Sequence, residues 1–228
     1  MDVIHNGMNS DILTVLQKIY DNPSLLKEKN LEKKQFLSCQ GDPDSQGTGN
    51  NPTDQEACFA LELDKAGIKF ITKKDTIPED DGSYYYYQPN GTQRNVDFLV
   101  INVKDKVKTT TSFDLKHTNG KTFYFNDGWF EDNVIYIINF TVKKCNKVYI
   151  GYGEETRTDE EHQAMLEMIE FKKSWNKSKK NIGNLKKCIR YANQYSCDGF
   201  TKEFSDEKFN SLKMSLLSNL LSNLLVSQ

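Results

Sequence analysis

The sequence predicts an α/β (α+β) chain with a central mixed β-sheet flanked by helices. Three observations predict it. Apolar residues recur at helical spacing near both ends; β-type runs fill the centre, from about residue 68 to 152; and Gly, Asn, Asp and Pro clusters separate those runs. At 228 residues the chain is long enough for one full hydrophobic core, and nothing in it repeats at an architectural period. We expect a single domain over 1–228. Its core lies at about 53–155, with helical segments 1–52 and 156–228 packed on it.

The N-terminal helix is expected over 10–19, where Ile12, Leu13, Val15, Leu16 and Ile19 share a face behind a Ser or Asp cap. A second short helix is expected over about 24–37. Residues 41–52 are Gly, Asp, Ser, Asn and Pro in quick succession, a surface loop by composition. The next helix, 53–66, opens on Thr53 with Glu56 as a capping box. Its apolar face is Ala57, Ala60, Leu61 and Leu63, and it stops at Gly67.

Strands follow. Residues 68–72 read as the first, 77–83 as an acidic turn, and the four tyrosines 84–87 as a β-prone, half-buried run. Residues 96–103 are the most apolar β-like run in the chain and suit a central strand. Residues 104–108 read as a hairpin, 109–117 as its return strand, 121–125 as a third, and 134–142 and 147–152 as two more. From 159 the pattern becomes helical, with Ala164, Met165, Met168 and Ile169 grouped together. A helix is expected over 182–191. From about 206 an amphipathic tail repeats Leu212, Leu216, Leu217, Leu220, Leu221, Leu224 and Leu225 every three or four residues, either packed on the body or forming a dimer contact.

Composition narrows the setting. A net charge of -2 does not by itself argue for a nucleic-acid partner, so any such argument rests on local charge. The five cysteines are scattered and form no CxxC pair, which excludes a disulfide framework and a structural zinc site. No basic, apolar leader opens the sequence and no apolar run reaches membrane-spanning length, so a reducing cytoplasm and no membrane are expected. In that setting the sequons at Asn90, Asn139 and Asn176 read as chance. Local charge is uneven: residues 171–190 hold eight Lys or Arg and no acid, next to an acidic stretch at 154–170.

Two acids interrupt the two best central-strand runs. Asp97 stands at the edge of the first and Asp114 within the second, with Lys116 two positions on. Strand residues two apart share a face, so Asp114 and Lys116 project together, and Asp97 joins them if the runs pair. An unpaired buried charge is costly, so a purely structural role leaves this placement unexplained. Two carboxylates hold a hard cation such as magnesium, which keeps waters and takes phosphate oxygens, and an ammonium beside them orients water or offsets phosphoryl charge.

The stretch Gly91-Thr92-Gln93-x-x-Val96-Asp97-Phe98, followed sixteen residues later by Asp114-Leu115-Lys116 and then by Phe125-Asn126-Asp127, resembles the PD-(D/E)xK nuclease superfamily, in particular the type II restriction endonucleases. The likeness covers about 53–140. It departs at Val96, where the family pattern has proline. The resemblance implies a restriction-endonuclease-like core and Mg2+-dependent hydrolysis of phosphodiester bonds in double-stranded DNA at a short specific sequence. It implies Asp97 and Asp114 as metal ligands, Lys116 as the residue that positions water, and an upstream glutamate as auxiliary ligand. Glu56 is the preferred glutamate, with Glu62 the other choice. A homodimer and a cognate DNA methyltransferase are the implied partners.

Candidate DNA contacts are Gln93, Arg94 and Asn95 before Asp97, Asn126 after the third strand, and Lys172, Lys173, Lys179 and Lys180 in the basic segment. Each also has a plain reading as a turn residue or a solvated helix face. His117 points away from Lys116 and reads as a bridging histidine rather than a general base. Trp175 reads either as core or as a stacking surface. The rival functions are a repair or structure-specific nuclease with the same core, and a catalytically silent DNA-binding protein.

Overall fold

A computed structural model describes residues 4–5, 10–40, 51–72, 75–89, 96–126, 128–141, 147–179, 181–182, 185–186 and 192–226. In order they form β1 (Ile4–His5), α1 (Ser10–Asp21), a 3-10 turn (Pro23–Lys27), α2 (Leu31–Ser38), α3 (Asp54–Lys65), β2 (Lys69–Phe70), β3 (Gly82–Tyr87), β4 (Phe98–Lys104), β5 (Val107–Thr118), β6 (Thr122–Asn126), β7 (Val134–Phe140) and β8 (Lys147–Tyr152). A second 3-10 turn (Gly153–Glu155), α4 (Asp159–Lys179), β9 (Asn181–Ile182), β10 (Leu185–Lys186), β11 (Ala192–Ser196) and α5 (Lys202–Val226) complete the chain.

The central sheet is mixed and runs β2-β3-β4-β5-β7-β8, with β1 beside the first half of β5. β3, β4 and β5 form an antiparallel meander. Asp105 and Lys106 both take positive φ, 51° and 64°, in the two-residue turn that joins β4 to β5. That conformation matches the right-handed twist of the flanking strands. β5 and β7 are parallel. Parallel neighbours need a long crossover, and here it carries β6 and the aromatic segment Trp129-Phe130.

Alternation along the strands builds two cores. One face presents Phe98, Val100, Phe113, Leu115, Ile135, Ile137 and Ile150 to Ile12, Leu16 and Ile19 of α1 and to Ala57, Phe59, Ala60 and Leu63 of α3. Phe59 is fully buried, with its ring centroid 5.0 Å from Phe98 and 5.4 Å from Phe113. Burying such a ring is worth about 1.5–3 kcal/mol, and it seats α3 over the β4–β5 pair. The other face presents Tyr136, Ile138, Phe140 and Tyr149 to Phe123 and Phe125 of β6, Trp129, Phe130, Met165 and Phe200. β6 pairs with β11 as a two-stranded sheet above that face. α5 packs along β8, placing Phe209 and Leu212 in the first core and Phe204 against the second, which covers the open edge of the sheet.

The expected helix over 182–191 is not formed where the chain is described. Ile182 pairs instead with Leu185, and Asn181 with Lys186. The helix expected over 24–37 is broken into a 3-10 turn with Pro23 at its start and α2, capped by Asn30, whose side chain accepts from the Lys33 amide at 2.8 Å. The tail helix begins earlier than expected, at Lys202. Its Leu212 is fully buried, while Leu217 is 46 % exposed. The side chains of Leu216, Leu220, Leu221, Leu224 and Leu225 lie outside the described residues.

Candidate active site

The site begins where β4 and β5 part. Phe98 pairs with Phe113, so one step back along the register Asp97 stands opposite Asp114. The Asp97 amide donates to the Phe113 carbonyl at 2.9 Å, and its own carbonyl accepts from the Gln88 amide at 2.7 Å. Beyond that point the ladder is continued by a side chain: the Leu115 amide donates to Asp97 Oδ2 at 2.7 Å. β4 starts here, while β5 runs on to Thr118 beside β7. The two acids therefore flank the notch between diverging strands.

Asp114 is 1 % exposed and Lys116 projects from the same face of β5. The Lys116 ammonium lies 2.8 Å from both carboxylate oxygens of Asp114. It meets hydrogen-bond geometry only at Oδ1, and Oδ2 is buried without a hydrogen-bond partner. The Phe125 ring, 5.2 Å from the Lys116 nitrogen, closes the other side of the ammonium. Burial pushes the Asp114 carboxyl well above the ordinary carboxylate range, against the pull of Lys116 and with the charge of Asp97 adding to it. Burial works against the Lys116 charge too, but Asp114, Asp97 and Glu56 outweigh it and raise the ammonium pKa.

α3 delivers the third acid. Thr53 caps the helix: the Glu56 amide donates to Thr53 Oγ1 at 3.2 Å, and the Thr53 amide donates to Glu56 Oε2. The capping box thus forms as the sequence predicts, and it turns Glu56 inward rather than to solvent. Burial, then the Asp97 charge, lift the Glu56 carboxyl from 4.5 to about 7, against hydrogen bonds from Thr53 and Tyr87. Glu62 is buried elsewhere, between Lys18 and Lys65, and its pKa is lowered: their hydrogen bonds outweigh burial, the largest single effect. Although Leu61 and Leu63 flank it, Glu62 does not face solvent, and of the two glutamates it is Glu56 that faces Asp97.

Residues that the sequence reading passed over hold this arrangement. Gln55 is 5 % exposed, and its Nε2 donates to the Lys116 carbonyl at 3.4 Å and the Ile137 carbonyl at 3.3 Å, tying the start of α3 to β5 and β7. Tyr136 is the β7 neighbour of Asp114. Its hydroxyl donates to the Trp129 carbonyl at 3.3 Å and accepts from the Glu131 amide at 3.0 Å, fixing the crossover above the site. Gln55 sits in the first turn of a capped helix, a placement visible in sequence. Nothing in sequence marks Tyr136.

The remaining candidates divide. His117 turns to the opposite face as expected, with Nε2 3.2 Å from Thr141 Oγ1. Burial and nearby Lys27 lower its pKa. Lys172 and Lys173 line a cleft of about 430 Å³ between α4 and the segment 128–132, together with Trp129, Met165 and Ile169. Asn126 pairs with Ala192 at the end of β6, but its side chain, like that of Lys179, lies outside the described residues, as do Gln93, Arg94, Asn95 and Lys180 altogether. Trp175 is 40 % exposed and is not part of either core.

No known protein family, characterised protein or solved structure matches this chain.

The donor chemistry of the notch fits a hard divalent cation. Among the described residues no three His, Cys, Asp or Glu side chains form a ready-made cage. Asp97 and Asp114 are a pair, with one buried Asp114 oxygen lacking a hydrogen bond. Magnesium is bound through one or two carboxylates and keeps several waters, whereas structural zinc demands four close protein ligands. Among the described residues no helix is long and apolar enough to cross a membrane.

Proposed function

We propose that this protein is a Mg2+-dependent nuclease with a restriction-endonuclease-like core, a type II restriction endonuclease that cuts double-stranded DNA at a short specific sequence. The observation that supports it is the meeting of Asp97 and Asp114 across the β4–β5 notch, with Lys116 2.8 Å from Asp114 and Glu56 brought in by α3. Three acids from separate elements around one lysine are an expensive arrangement to bury. A phosphodiester hydrolase gives each a task.

Asp97 and Asp114 would hold the cation, which supplies a water of lowered pKa and offsets charge on the phosphoryl oxygens. Both Asp114 oxygens lie 2.8 Å from the Lys116 ammonium, so holding the cation would exchange one of those contacts. Lys116 stands beside it to orient the attacking water and to stabilise the added negative charge on phosphorus. Glu56 backs Asp97 and completes the acidic wall. The Asp97 carboxylate is fixed by the Leu115 amide, so the notch is preorganised by the sheet itself. Lys172 and Lys173, which line the cleft beside the crossover segment, would meet phosphates. On this reading the protein acts in the cytoplasm, beside a methyltransferase that protects the same site.

Digestion of a plasmid of known sequence with Mg2+, followed by end sequencing, tests the proposal. Discrete bands with a common terminal sequence are expected. Smearing or cutting confined to flaps and junctions would instead make it a repair or structure-specific nuclease with the same chemistry. No cleavage in Mg2+, together with DNA binding, would make it a silent binder.

A further inference from the structure

α4 is unlike the other helices of the molecule. It runs for 21 residues, yet Met165 is its one buried residue among those described. A helix of this length gains little stability in water without a packed face. Its inner side, His162, Met165 and Ile169, looks onto the segment 128–132. Its flank carries a second apolar line: Met168 at 48 %, Phe171 at 60 % and Trp175 at 40 % exposure, preceded by exposed Ala164. The spacing 164, 168, 171, 175 is four, three, four, which keeps the four side chains on one face of α4 and suits pairing with another helix. The Phe171 and Trp175 rings lie 6.1 Å apart along it.

Charge is segregated along the same helix. Asp159, Glu160, Glu161, Glu167 and Glu170 fill the first half with no Lys or Arg, and Lys172, Lys173, Lys177 and Lys179 fill the second with no acid. A parallel copy would lay like charges side by side. Of these charges, among the described side chains, only Glu160, Glu161, Glu167 and Lys172 stand beside the seam at helical spacing, and an antiparallel copy sets Glu167 of each helix by Lys172 of the other.

We propose that the Ala164–Met168–Phe171–Trp175 seam of α4 is a self-association surface, on which a second copy of this chain docks its own α4 antiparallel about a two-fold axis midway between Met168 and Phe171. About that axis Met168 of one copy meets Phe171 of the other, and the indole of Trp175 lies over Ala164 of the other, large against small. The contact is isologous, so it closes as a dimer and leaves no open surface. It stands whether or not the notch cleaves DNA.

Sedimentation equilibrium of the full chain, without DNA and over a micromolar dilution series, tests it. A monomer–dimer equilibrium is expected. F171E and W175E should each weaken it at least roughly thirtyfold, the effect of losing an aromatic anchor. Circular dichroism and thermal melting of the monomer should stay unchanged, because both side chains are exposed. Added salt should weaken the dimer, as opposite charges demand. A164C should give no oxidative cross-link above the parent level, since antiparallel pairing holds the two positions roughly 16 Å apart along the axis, beyond disulfide reach. A chain monomeric throughout overturns the proposal, as does a dimer indifferent to F171E and W175E, one strengthened by salt, or one that A164C links. A monomer that loses single-stranded oligonucleotide binding on W175E would make the seam a base-stacking surface instead.

Discussion

The Asp114–Lys116 pair makes the sharpest prediction. Asp114 is 1 % exposed, and the Lys116 ammonium is 2.8 Å away. Lys116→Met removes that cation while keeping most of the apolar stem. Breaking a buried pair from one side costs about 3–5 kcal/mol, a large part of the total stability of a domain. The variant has one escape, which is to protonate Asp114, whose carboxyl burial already pushes up. A raised folded pKa means the folded state keeps a proton that the unfolded chain has lost. The stability linked to it is full below the unfolded pKa and declines as pH rises through the folded value. The loss in K116M should therefore be small near pH 4 and larger at pH 8. Asp114→Asn in the same chain removes the stranded charge, so D114N/K116M should recover most of the loss. Urea unfolding of metal-free protein at both pH values reads this as a shift in midpoint at constant slope. K116M within about 0.5 kcal/mol of the parent at pH 8, against the expected loss, or a double variant no more stable than K116M, would refute the reasoning.

Other outcomes follow from the same geometry. Glu56→Gln keeps a capping-box side chain but removes a carboxyl lifted to about 7. Metal-free parent stability should fall between pH 4.5 and 7, where the unfolded chain has lost the proton that the folded state still holds, E56Q should not share the fall, and above pH 7 the variant should be more stable by up to about 3 kcal/mol. Equal pH profiles by urea titration would count against Glu56 as the inward-facing acid. Asp97→Asn still offers an oxygen to the Leu115 amide, so its unfolding free energy should stay within about 1 kcal/mol of the parent. The rise in melting temperature that Ca2+ gives the parent should be lost in D97N; a rise of undiminished size would remove Asp97 from the cation site. Tyr136→Phe removes the hydroxyl that accepts from the Glu131 amide and donates to the Trp129 carbonyl and should cost about 0.5–1.5 kcal/mol, read by urea unfolding. No measurable cost would show that the crossover is held by its aromatic packing alone.

The sequence made much of the sheet legible. β4, β5, β6, β7 and β8 all lie where alternation and apolar runs place them, and the hairpin at 104–108 turns at Asp105 and Lys106. Each follows from local pattern, which a central strand expresses directly. α3 and its capping box were equally plain, because a Thr-x-x-Glu signal is local. Tertiary competition set what was missed. Glu62 sits between two apolar residues and looks exposed, yet Lys18 reaches it from α1, a contact that no window of sequence contains. β11 spans Ala192–Ser196 with no apolar run, because it pairs as an outlying strand with β6. The facing of Asp97 and Asp114 was readable only as a condition on strand pairing. The register Phe98–Phe113 meets that condition. In sequence Lys172 and Lys173 belong to one basic run with Lys179 and Lys180, either a phosphate-tracking segment or a solvated helix face. The fold places the first two on a cleft and leaves a flank of the same helix apolar.

The central claim is that Asp97, Asp114 and Lys116 form a metal-dependent phosphodiesterase notch. Parent, D114N and K116A incubated side by side with supercoiled plasmid, in Mg2+ and in EDTA, test it most directly. The account predicts cleavage by the parent in Mg2+ alone, and none by either variant when both are folded by circular dichroism. Cleavage by D114N or K116A at the parent rate, or cleavage by the parent in EDTA, would contradict it.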